Sequence, residues 1–104
     1  MTTPLSLDTA RRKDGTFALV AAGEIDLSNV ATFAEALSKA LATVETKPVT
    51  VDLSAVEYLD SGAINALFDK ADQVVIIANP ILIPVLKISG LVDLTTVVPP
   101  VEEH

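Results

Sequence analysis

Four aliphatic runs punctuate this chain, at residues 17–25, 49–53, 74–78 and 95–98, separated by intervals long enough to hold a helix. A strand that returns to its sheet after such an interval comes back parallel, so the spacing predicts a sheet built largely from crossovers. The start of the chain is different. Residues 5–10 alternate weakly and residues 11–15 are polar turn formers, which predicts an antiparallel hairpin with the run at 17–25. The expected fold class is α/β: a mixed, mostly parallel sheet of four to five strands with an N-terminal antiparallel hairpin and three helices.

The intervals themselves carry helical periodicity. From Val30, the residues Phe33, Leu37, Leu41 and Val44 recur on one face while Glu35 and Lys39 fall outside it. Ser28 or Asn29 is placed to cap this helix, and Lys47-Pro48 to end it. A second helix over residues 62–71 puts Ile64, Leu67, Phe68 and Ala71 on one face. Asn79 and Pro80 open a third, which Gly90 stops. Pro84 lacks the amide that would bond back to the carbonyl of residue 80, so this last helix is expected to kink or to start later.

A chain of 104 residues fits one domain, taken as 1–104, with enough length to bury a core. Half of its residues are apolar but only 4% are aromatic, so that core must be Val, Ile, Leu and Ala. The net charge of -7, with no basic run beyond Arg11-Arg12-Lys13, repels a phosphate backbone; no nucleic-acid partner is expected. With no Cys there is no disulfide, thiol catalysis or thiolate metal site. The N-terminus has neither a basic start nor a continuous apolar stretch, and residues 74–86 are too short and too interrupted to span a bilayer. No membrane association and a cytoplasmic setting are expected.

After residue 53 the chain passes through Ser54-Ala55-Val56-Glu57-Tyr58-Leu59 into Asp60-Ser61-Gly62 and the second helix. This sets a serine where a helix begins. The first amides of a helix have no internal partner and mark the positive end of its dipole, so a hydroxyl there is suited to carry a phosphate. It is equally suited to act as a simple cap. Asp60 stands where it either orients that serine or caps the turn, and Asp52 ends a strand, where ligands gather in open parallel sheets.

These residues resemble the signature of STAS domains, the bacterial anti-sigma factor antagonists: a strand ending Val51-Asp52-Leu53-Ser54, a short apolar link, then Asp60-Ser61 before a helix. Gly23-Glu24-Ile25-Asp26 is similar to the Gly-Glu-Leu-Asp that closes the family's second strand. Asn79-Pro80, followed by Leu86-Lys87-Ile88-Ser89-Gly90-Leu91, looks like its last-helix motif. The resemblance runs from about residue 17 to residue 91. It implies that Ser61 is phosphorylated by a partner anti-sigma factor, itself a serine kinase. It also implies that the unmodified chain docks on that partner and frees a sigma factor, through Asp26, Asp52, Asp60, Ser61, Gly62 and Asn65. The chain departs from the pattern at Gly62-Ala63, where the family continues with Ser or Thr and then Gly, and at Asn65, where a second Gly is common. The segment from Ser61 to Asn79 is also short by roughly two helical turns.

Catalysis by the chain itself is not expected. The sole histidine is His104, so Ser61 has no imidazole to activate it, and no glycine-rich phosphate cradle is present. Asp52, Glu57 and Asp60 lack the spacing of a metal-binding loop. No cofactor and no metal are expected. The competing function is a STAS-like module that senses a nucleotide or lipid, or that serves as a scaffold. A second copy of the chain is the natural cover for apolar surface bared by the shortened segment, which makes a homodimer an expectation.

Overall fold

In the computed structural model, which describes residues 4–45 and 48–100, five strands form one sheet in the order β1-β2-β3-β4-β5. They are β1 (Ser6–Arg11), β2 (Phe17–Ile25), β3 (Val49–Leu59), β4 (Val74–Ala78) and β5 (Thr96–Val98). The first pair is antiparallel and the other three are parallel, as the spacing requires. In the hairpin turn Asp14 Oδ1 accepts from the Thr16 amide at 3.0 Å and from its hydroxyl at 2.7 Å, and Gly15 takes the positive φ of 90° that the reversal needs.

The connections hold α1 (Val30–Thr43), α2 (Ser61–Asp69) and α3 (Ile83–Ile88). Because β2 to β5 are added in one direction and such crossovers are right-handed, all three helices lie on one face of the sheet. That face is the core: Leu19, Val51 and Ile76, neighbours across β2, β3 and β4, are at most 1% exposed. Phe33 and Leu37 of α1, Leu67 of α2 and Leu86 of α3 are buried against them.

Among the described residues the opposite face has no helix. Its middle row, Val20, Asp52 and Ile77, is half-buried. Arg12 reaches from the hairpin turn over this face, its Nη2 donating to Asp52 Oδ2 at 2.7 Å. The Ser54 amide and hydroxyl donate to Asp52 Oδ1 at 3.0 and 2.6 Å. Burial pushes the Asp52 carboxyl up, but the two Ser54 hydrogen bonds and the Arg12 guanidinium outweigh it and hold the group below its ordinary 3.8. A carboxylate depressed in this way stabilises the fold fully above the unfolded value near 3.8, and the contribution disappears as pH falls through the lower folded value. Arg12→Ala is therefore expected to lower stability by about 1 kcal/mol near neutral pH, with the difference from the unaltered chain vanishing in acid. Urea melts at pH 7 and pH 3 measure it.

Several boundaries differ from the sequence expectation. β3 runs to Leu59 instead of stopping at residue 53, because register shifts between Val20 and Ala22 and between Gly23 and Glu24 keep it paired with β2. Gly23 supplies the positive φ of 97° beside the second shift. Asp52 consequently lies inside a strand and not at its end. α1 stops at Thr43, with Val44 already extended, earlier than Lys47-Pro48 would dictate; Lys47 lies outside the described residues. Asn29 stands at the cap position of α1 without capping it: its side chain accepts from the Asp26 amide and donates to the Glu24 carbonyl. Pro84 has the expected effect, since a 3-10 turn over Pro80–Leu82 precedes α3 and the proline falls in the first turn of the helix.

Candidate functional site

The parallel strands all deliver their C-terminal ends to one pole of the sheet, and the chain's motifs meet there. The Asp60 amide donates to the Ile25 carbonyl at 2.7 Å, so the end of β3 is fastened to the end of β2. α2 starts at once. Asp60 is its cap: Oδ2 accepts from the Gly62 amide at 3.0 Å, and its carbonyl accepts from Ala63 and Ile64. Asp60, rather than Ser61, thus does the capping, which releases the serine from that role.

Ser61 is the first residue of α2 and is exposed. Neither its hydroxyl nor its amide has a hydrogen-bond partner among the described residues. Gly62 sits so close to α1 that a Cβ there would lie 3.1 Å from Val30 Cγ2, which brings the first turns of the two helices together. Asn65, one turn beyond Ser61 and on the same side of α2, is exposed. Asp60, Ser61, Gly62 and Asn65 therefore form one end of one helix.

Asp26 belongs to the same pole, at the end of β2. Its Oδ1 accepts from the amide and the hydroxyl of Ser28, and Asn29 bridges its amide to the Glu24 carbonyl. The β2–α1 loop is held from within, and Leu27 projects from it with 81% of its surface exposed. On the other side of β3, Asn79 donates from Nδ2 to the Val56 carbonyl at 3.1 Å and accepts from the Ile81 amide at 3.3 Å. Ile81 is 63% exposed. Leu27 has no signal in periodicity, since it falls in a turn outside the helical and strand patterns; Ile81 falls inside the helix expected from Pro80 to Gly90, whose pattern does not show that the 3-10 turn at its start leaves it exposed.

Asp52 is not part of this pole. It lies within β3, eight residues upstream of Asp60, and is engaged by Arg12, whose hairpin turn is at the opposite pole. Among the described residues no group of three His, Cys, Asp or Glu side chains is arranged to hold a metal ion, and no helix is long and apolar enough to cross a membrane.

The fold is similar to that of several solved proteins. An anti-sigma factor antagonist from Mycobacterium paratuberculosis matches with a TM-score of 0.83 and 21% identity, over 94% of this chain and 88% of that one. The anti-sigma factor antagonist SpoIIAA in its unphosphorylated form matches with a TM-score of 0.65 and 15% identity, over 88% and 87%. An uncharacterised protein with a SpoIIAA-like fold from Shewanella loihica gives 0.57 and 15%, over 96% and 88%. At these identities the likeness is one of fold. Among curated proteins no sequence matches. The family model described as "Mlab, STAS domain" matches residues 9–75, well over half of the chain, which takes in the second half of β1, β2, α1, β3 and the whole of α2. The chain belongs to the STAS domain family.

Proposed function

We propose that the chain is an anti-sigma factor antagonist switched by phosphorylation of Ser61. Unmodified, it docks on an anti-sigma factor through the pole formed by Asp26, Asp60, Ser61, Gly62 and Asn65, and so frees a sigma factor in the cytoplasm. The observation that carries this reading is the exposed Ser61 hydroxyl, relieved of capping by Asp60, at the start of α2. The fold neighbours described as antagonists support it, one of them described in an unphosphorylated form.

In the switching step Ser61 Oγ attacks the γ-phosphorus of a nucleoside triphosphate held by the anti-sigma factor kinase. The new O–P bond replaces the bond to the departing nucleoside diphosphate, and the hydroxyl proton passes to a base of the kinase. The chain supplies only the acceptor. The modification adds about 1.5 to 2 negative charges and three acceptor oxygens at one exposed point. A docked partner surface fitted to a neutral hydroxyl would have to desolvate that charge, which opposes binding by more than the helix dipole returns.

The direct check of function is displacement. Unmodified chain added to a purified complex of sigma factor and anti-sigma factor kinase from the same organism should release the sigma factor, as read by size-exclusion chromatography. An intact complex at saturating chain would exclude antagonism.

A further inference from the structure

We propose that Leu27 and Ile81 are the two apolar anchors of the docking surface and that they seat in a partner protein surface rimmed by Lys and Arg. This deepens the proposed function and rests on the reading that the Ser61 pole is where the partner binds.

Both side chains are large, apolar and mostly in water, at 81% and 63% exposure, whereas the aliphatic residues beneath them are buried. Both are also held by local structure. The loop under Leu27 is fixed by the Asp26, Ser28 and Asn29 hydrogen bonds, and the turn under Ile81 by Asn79 and by the fixed φ of Pro80. A rigidly presented apolar side chain loses little entropy on binding, which is the property of an interface anchor. Leu27 leaves the end of β2 and Ile81 follows β4, with Ser61 between them after β3. Two strand spacings, about 10 Å, separate the anchors across the sheet, and because β2 ends opposite Leu59 whereas β4 ends opposite Leu53, Ile81 also stands on the order of 10 Å or more further back along the strands than Leu27.

Charge selects the occupant. At this pole the loop and strand ends carry Asp26, Glu57 and Asp60, and among the described residues no Lys or Arg lies there. Arg11, Arg12 and Lys13 are in the hairpin turn, Lys39 is in the second half of α1, and Lys70 and Lys87 are at the C-terminal ends of α2 and α3, all away from the pole. An apolar surface with purely negative surroundings repels anionic lipid and nucleic acid and attracts a cationic protein surface. A phosphate on Ser61 then stands beside the Leu27 anchor, because the end of β2 is fastened to Asp60.

The test uses purified anti-sigma factor kinases of the source organism and the full chain. Leu27→Ser and Ile81→Ser are each expected to weaken binding about tenfold or more, since central anchors carry most of an interface's energy. Leu94→Ser is the control: Leu94 is also exposed, but it lines a cleft with Pro48 and Val74 at the opposite pole, and binding should stay unchanged. Raising salt from about 50 to 500 mM should slow association of the unaltered chain about tenfold or more, and Glu57→Lys should slow it at low salt. If the unaltered chain binds and both serine variants bind within about twofold of it, the anchor assignment fails while the proposed function stands. If no anti-sigma factor binds the unaltered chain, both fall. Binding to vesicles of about 30% phosphatidylserine that Leu27→Ser abolishes would overturn the protein occupant in favour of a membrane.

Discussion

Ser61→Asp is expected to bind the anti-sigma factor about a hundredfold more weakly than the unaltered chain while unfolding at nearly the same temperature. The two effects separate because they draw on different terms. Within the chain, a carboxylate at the first position of α2 gains about 0.3 to 1 kcal/mol from the unpaired amide and the helix dipole. It loses a similar amount to repulsion from Asp60, whose carboxylate already occupies the Gly62 amide. The sum is near zero, and Ser61 is exposed, so nothing in the core moves. At the interface the same charge must be desolvated, and a hundredfold loss corresponds to about 2.7 kcal/mol. Calorimetric binding and thermal unfolding of the two proteins check both halves. A variant that loses binding because it has lost stability would point to a structural serine instead of a switch.

Phe33→Ala is expected to produce the largest loss of stability of any single truncation in the helical layer, about 3 to 5 kcal/mol. Phe33 is 0% exposed and is the largest of the fully buried side chains, wedged between α1 and the sheet. In a chain of this size that loss is a large share of the total and should lower the melting temperature by tens of degrees. Phe68→Ala makes the comparison sharp. Phe68 falls on the same helical repeat as Ile64 and Leu67, yet it is 37% exposed and touches the Gly90 turn from outside. Its truncation should cost about 1 to 2 kcal/mol. Urea melts of the two variants measure the contrast.

That contrast also marks what the sequence carries. Strand and helix order, the parallel sheet and the antiparallel hairpin follow from apolar periodicity and interval length, because those are set by burial of one face. The helix after Ser61 was legible for the same reason, with Ile64 and Leu67 in the core. Phe68 was not, since periodicity places a residue on a face but does not say how far the neighbouring elements extend over it. β3's extra length is not legible because it depends on register shifts opposite Val20–Ala22 and Gly23–Glu24, which are pairwise features of two strands. Asn29 reads as a cap because its position is right; its side chain turned instead to the backbone of β2. Asp52 reads as a strand-end ligand because the aliphatic run ends at Leu53, whereas the strand continues past two register shifts to Leu59.

At the pole the same division holds. Asp60, Ser61 and Gly62 are recognisable from their order in the chain, and the pairing of Asp60 with the Gly62 amide decides which of them caps the helix. Leu27 and Ile81 become visible only when exposure is known, since a lone aliphatic residue in a turn is ordinarily silent and the apolar run Ile81-Leu82-Ile83 does not say which of its members faces out.

The assignment of Ser61 as phosphoacceptor is tested most directly by mass spectrometry of the intact chain after incubation with the anti-sigma factor kinase and magnesium nucleotide. The expected result is a single gain of about 80 Da, mapped to Ser61 and absent from Ser61→Ala, which still binds the kinase. Equal incorporation in the alanine variant, or a phosphate mapped to another residue, would contradict it.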